Sequence, residues 1–284
     1  MRTIKKIHKA EYRPIDDLIT YSPMPTKSLP NIDPFLFLNH HGPQVYPSNN
    51  NGLPFGPHPH RGMETVTFIL DGDISHKDSG GYESVITSGG IQWMTAGSGL
   101  IHAETSSNNF KKNGGRLEIL QLWVNLPANL KMTKPNYIGK QKDEIPVISL
   151  YDGNAELKLV SGKWENTKGA FDTLTDLFLS TIHTQPNTKL ELNMPQSNNI
   201  FFYVIKGNIR VNETPMEALH LVEFNNDSDK ISFESETESI ILFGYAKPFN
   251  EPIVAYGPFV MNSQEEIEQA YADYKSGKFG KWDQ

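Results

Sequence analysis

Short apolar runs rich in Val, Ile, Phe and Thr, each broken by Gly, Pro, Asn or Asp, recur along this chain. That is the pattern of many short strands separated by turns, and it confines the fold to the all-β class. Residues 65–70, followed by Asp71 and Gly72, read as a strand entering a hairpin turn. Residues 117–124 read as another, and strand signals resume at Val147 and recur at 177–182, 201–205 and 240–243. A length of 284 residues exceeds one ordinary domain. The polar stretch after Pro127, with Lys131, Lys134, Pro135, Lys140, Gln141, Lys142 and Asp143, predicts a linker, and domains at 1–134 and 135–284. Residues 69–74 resemble 204–209, each a strand, a Gly turn and a return strand, so the two halves are expected to be alike. Ser263 and Glu266 form a capping box ahead of Ile267, Ala270, Tyr271 and Tyr274, which predicts a short C-terminal helix packed on a barrel surface.

Two triplets carry the chemistry: His58-Pro59-His60 and His102-Ala103-Glu104. On extended backbone, residues i and i+2 point to the same side, so each triplet offers two ligands to one point. Pro57 and Pro59 stiffen the first as a pincer. The second ends the Gly-rich run 89–101, whose glycines allow tight turns and close backbone approach. Three imidazoles and a carboxylate suit one divalent transition metal, with iron, zinc, nickel, copper, cobalt and manganese all compatible with the donor set. Glu64, four residues after His60, shares its face on an unbroken strand, and spacing alone does not choose between Glu64 and Glu104. Sliding the halves together on the repeat puts Asn193 opposite His58 and Pro195 opposite His60, so a metal-free second half and one metal per chain are expected. His183 and His220 lack a partner at spacing two and read as structural.

The absence of cysteine excludes thiol nucleophiles, Cys-ligated zinc and iron–sulfur clusters, and leaves the redox compartment open. A net charge of −7, from 33 acidic and 26 basic residues, argues against direct nucleic-acid binding, and Lys111-Lys112 reads as a solvated pair. The basic start, Met1 to Lys6, leads into polar residues rather than an apolar stretch. Neither a signal peptide nor a membrane span is expected, and a cytoplasmic protein is the default.

Residues 57–67, residues 92–104 and the tail 257–262 together resemble the pirin family over nearly the whole chain. The resemblance implies a cupin-superfamily bicupin: two antiparallel β-barrels of jelly-roll type, the first holding Fe(II) through His58, His60, His102 and Glu104. It favours Glu104 over Glu64, with Gly62 permitting a bulge that turns Glu64 away. The activity implied is that of a quercetin 2,3-dioxygenase, which opens the central flavonol ring with dioxygen and releases carbon monoxide. Glu104 would then be both ligand and the base that takes the flavonol hydroxyl proton. Phe55, Met63, Phe68 and Trp93 are candidates to line a pocket for a flat aromatic substrate. Eukaryotic pirins imply a second class, a redox-responsive transcriptional co-regulator that binds a protein partner.

Overall fold

Alternation in the sequence becomes alternation in space along the strand Thr188–Asn193, where Thr188, Leu190 and Leu192 are buried and Lys189, Glu191 and Asn193 are exposed. Met63–Asp71 instead starts with seven consecutive buried residues, the signature of a strand covered on both faces. The structure, a computed structural model, describes residues 1–282. By packing, the chain divides into two units. One comprises residues 12–21, 36–144 and the chain from Phe249 onward, and the other comprises 1–11, 22–35 and 145–248.

Both units use the same plan, a seven-stranded and a four-stranded antiparallel sheet. In the first, the larger sheet runs Asn136–Lys140, Ile91–Thr95, Met63–Asp71, Gly115–Asn125, Phe35–Tyr46, Thr20–Met24, Glu11–Tyr12. Its smaller sheet runs Phe55–His60, Leu100–Thr105, Asp73–Asp78, Glu83–Thr87. In the second, the larger sheet runs Ile4–Lys9, His220–Phe224, Asn199–Lys206, Ser239–Ala246, Leu177–Thr184, Ala155–Ser161, Val147–Leu150. Its smaller sheet runs Thr188–Asn193, Lys230–Ser235, Asn208–Val211, Thr214–Glu217. These are two cupin-type barrels with one short C-terminal helix, as expected for the fold class.

The units do not meet at a single cut between 134 and 135. Polarity marked residues 131–143 as a linker, but those polar groups are used by the fold. Lys131 is buried, and its ammonium donates to Gly62 O (2.9 Å), Asn125 Oδ1 (2.7 Å) and Val260 O (3.0 Å). Asn136–Lys140 is an edge strand paired with Ile91–Thr95. The chain ends also depart from the expected partition. Ile4–Lys9 pairs with His220–Phe224 in the second unit, secured by the buried Arg2 guanidinium, which donates to the carbonyls of Pro195, Gln196, Asn198 and Ser228. The helix Gln264–Lys275, capped by Ser263 and Glu266 as the sequence predicts, packs Ile267 and Ala270 against Phe259, Met261 and Phe279 in the first unit, not the second.

The second barrel is filled by Leu190, Leu192, Phe202, Ile209, Phe233, Phe243 and their neighbours. Each such fully buried side chain contributes about 2 kcal/mol through the area it removes from water. In the first barrel an apolar cluster that includes Ile69, Ile74, Ile86, Leu117 and Ile119 fills one end, and the other end is polar. Among the described residues, no helix is long and apolar enough to cross a membrane.

Candidate metal centre

The polar end of the first barrel begins with a strand pair. His102 stands directly across from His58 in the ladder between Leu100–Thr105 and Phe55–His60, and His60 follows two residues along on the same face. The nitrogens of His58, His60 and His102 lie within 4.8 Å of one another, which makes them able to hold one metal ion. No other group of three or more His, Asp or Glu side chains with this geometry occurs among the described residues.

Neighbouring carbonyls orient two of these rings. His58 Nδ1 donates to Gly56 O at 2.7 Å and His60 Nδ1 to Pro258 O at 3.1 Å, because a carbonyl can only accept. Each proton on Nδ1 leaves a lone pair on Nε2. His58 Nε2 and His102 Nε2 approach to 3.1 Å, a separation suited to a proton or a cation between them. Burial, then the neighbouring His58, lowers the His60 pKa to about 3, and burial with the three nearby histidines holds His102 well below the usual value. Both rings are therefore neutral at pH 7, the form that donates to a metal. These observations fit a divalent transition metal.

Glu104 lies two residues beyond His102 on the same face, but both its oxygens face other partners. Oε1 accepts from Gln92 Nε2 and from Thr67 Oγ1 (3.1 Å), and Oε2 accepts from Gln121 Nε2 (2.5 Å). Thr67, Gln92 and Gln121 are opposite one another on three neighbouring strands, so one row across the sheet grips the carboxylate. Gln92 is positioned in turn by Tyr137, whose hydroxyl donates to Gln92 Oε1 at 3.1 Å.

Glu64 is turned from this face by the break at Arg61-Gly62. Gly62 has φ +82°, and a Cβ there would lie 2.0 Å from Val260 O, so glycine is required. On the resumed strand Thr67 points inward to Glu104, which by alternation sends Glu64, Val66 and Phe68 to the opposite face. There Glu64 accepts from Thr95 Oγ1 at 2.6 Å, and burial raises its pKa.

Of the expected pocket residues, Phe68 and Trp93 lie on that opposite face, since Trp93 pairs with Val66 while its neighbour Gln92 points inward. Met63 packs with Leu36 and Val260. Phe55 stays inside, 5.2 Å from the His41 ring. The aromatic wall beside the histidines is instead Trp123, 5.1 Å from His60 and stacked on Phe37 at 4.6 Å. Continuing the alternation through Leu117, Ile119 and Gln121 would have identified Trp123. The C-terminal segment also supports the site: the Arg61 guanidinium donates to Asp273 at 2.9 Å and lies over the Phe279 ring at 4.7 Å.

Comparison with known proteins agrees with this architecture. The Pirin family model matches residues 17–124, and that of the pirin C-terminal cupin domain matches 179–280. A pirin-like protein of Caulobacter vibrioides is 37% identical over 249 residues, covering 87% of each chain. The crystal structure of a quercetin 2,3-dioxygenase from Acinetobacter baumannii is similar with a TM-score of 0.91 and 33% identity, over 99% of each chain. A bacterial pirin from Escherichia coli, crystallised with nickel(II), shares the fold at TM-score 0.68 and 19% identity, over 86% of this chain and 99% of the other. With the conserved barrel plan, the matched domains and the three-histidine centre all in place, this chain belongs to the pirin family.

Proposed function

We propose that this chain is a metal-dependent dioxygenase acting on a flavonol-like aromatic, quercetin being the representative substrate, with Fe(II) held by His58, His60, His102 and Glu104. The observation that carries the reading is the convergence of three imidazoles within 4.8 Å. Similarity over 99% of the chain to a quercetin 2,3-dioxygenase supports the substrate class. When bound, a divalent transition metal with open positions supplies Lewis acidity and one-electron chemistry. The residues supply the remainder. Trp123 and Phe37 offer an apolar face on which a flat ring system can lie. Glu104 takes the proton of the flavonol 3-hydroxyl on a carboxylate oxygen, with Gln92 and Thr67 holding Oε1 and Gln121 holding Oε2.

The test is anaerobic purification, loading with Fe(II), and measurement of oxygen uptake and carbon monoxide release with quercetin. Stoichiometric uptake and release are expected, with Glu104→Gln slowing turnover by about a hundredfold or more. Quercetin left intact under air by fully loaded protein overturns the dioxygenase reading.

A further inference from the structure

His76 and Asp78 lie on Asp73–Asp78, the strand hydrogen-bonded to the other side of the His102 strand. His102 pairs across with Asp78, and Glu104 with His76. His76 is fully buried, its Nε2 donates to Asp78 Oδ2 at 3.0 Å, and its ring stacks on Tyr137 at 3.8 Å. Two buried nitrogens nearby have no partner: His102 Nδ1 and His76 Nδ1. Their ring centres are 5.5 Å apart, close to one N–H···N bond of about 3 Å plus the reach of two ring nitrogens from their centres.

Proton placement makes the two complementary. With its Nε2 proton given to Asp78, His76 has a lone pair on Nδ1. When Nε2 of His102 donates to a metal, its proton must sit on Nδ1, where a buried N–H without an acceptor is costly. We propose that His76 and Asp78 are positioning residues for the metal centre: His102 Nδ1–H donates to His76 Nδ1, and His76 Nε2–H donates to Asp78. The proposal rests on the three-histidine metal reading above.

The second barrel provides an internal comparison. There Ile209 matches Ile74 on the repeat, so His76 corresponds to Val211, opposite Phe233, and Asp78 to Glu213, an exposed turn residue beyond the strand. The His–Asp pair is missing from the barrel whose equivalent of His102 is apolar.

Asp78→Asn is the sharpest variant. Asp78 Oδ1 accepts from the backbone N–H of Gly80 (2.8 Å) and Tyr82 (3.1 Å), so an asparagine must keep its oxygen there and turn its NH2 to His76. His76 must then accept on Nε2 and carry its proton on Nδ1, setting a donor against the His102 donor. Zn(II) affinity should fall by about 10- to 100-fold. In zinc-loaded protein, the imidazole 15N spectrum should show the His76 proton moved from Nε2 to Nδ1, a change that general loosening of the fold would not produce. His76→Phe keeps the ring stacked on Tyr137 while removing the acceptor, and should lose affinity to a similar degree. It carries the test if Asp78→Asn does not fold. Wild-type protein that binds no zinc would defeat the underlying metal reading. Zinc binding by wild type with unchanged affinity in the folded variants would overturn this inference alone.

Discussion

On the small sheet of one barrel His102 stands across from His58, while on the matching sheet of the other Phe233 stands across from Leu190 and Ile231 across from Leu192. The strand orders coincide, so position after position can be compared. On the repeat that matches Ile74 with Ile209, Val211 takes the place of His76, Phe233 that of Glu104, Ile231 that of His102 and Leu192 that of His58. Polar groups that converge in one barrel are replaced by side chains that pack in the other. The sheet order specifies where a centre can be built, and about six inward side chains decide whether the space becomes a site or a core. The two choices have different energetic consequences. A core of Leu and Phe is stabilised by its own burial. Buried neutral imidazoles gain much less, and leave atoms such as His102 Nδ1 unpaired until something completes them.

The largest expected effect follows from that division. Replacing His58, His60 or His102 by Ala should weaken metal binding by more than about a hundredfold, exceeding the loss expected from an outer partner. The fold should remain, because the apolar clusters lie elsewhere. Metal analysis and anomalous scattering should find one ion per chain, all of it in the first barrel. A second equivalent at His183 or His220 would end the contrast between the barrels.

The complementary change is Phe202→Ala in the second barrel. Phe202 is fully buried among Phe224, Phe233 and Phe243, and truncation should cost about 3–5 kcal/mol in denaturant unfolding. Metal affinity of the molecules that remain folded should equal that of wild type. If affinity falls with stability, the second barrel is not simply a packed core.

The paired triplets, the turn-broken strands and the Ser263 cap were legible because each is a local pattern with a local physical cause. What escaped the sequence was set by distant partners. Lys131 looked like linker polarity because three acceptors from separate parts of the chain cannot be seen in its neighbours. The repeat register placed Asn193 and Pro195 at the pincer because a fixed slide ignores loop length. The ladders correct the slide by one residue, since Leu192 pairs with Ile231 as His58 pairs with His102. His76 and Asp78 also satisfy the spacing of two that marked the ligands, but their pairing with His102 depends on a ladder that residue order alone does not specify.

A smaller effect sharpens the comparison through pH. His41 in the first barrel is 1% exposed, donates from Nδ1 to Thr20 Oγ1 at 2.9 Å, and leaves Nε2 buried without a partner. Burial, then the nearby His40, lowers its pKa to about 3, from an ordinary 6.5. In the second barrel burial, then Lys158, lowers His183 to about 4. An unfolded chain takes up these protons near pH 6.5, whereas the folded one does not until much lower pH. The unfolded state thus binds more protons between those limits, and stability must fall as pH drops from about 6.5 towards 3 for His41, or towards 4 for His183. His41→Phe removes one such group without touching a proposed ligand. Its slope of unfolding free energy against pH should be shallower by up to about one proton in that window. At pH 7 its stability should stay within about 1 kcal/mol of wild type, since one hydrogen bond is lost and one buried orphan nitrogen is relieved. An unchanged acid slope would show that His41 takes up its proton in the folded barrel, and that its surroundings are better solvated than its burial implies.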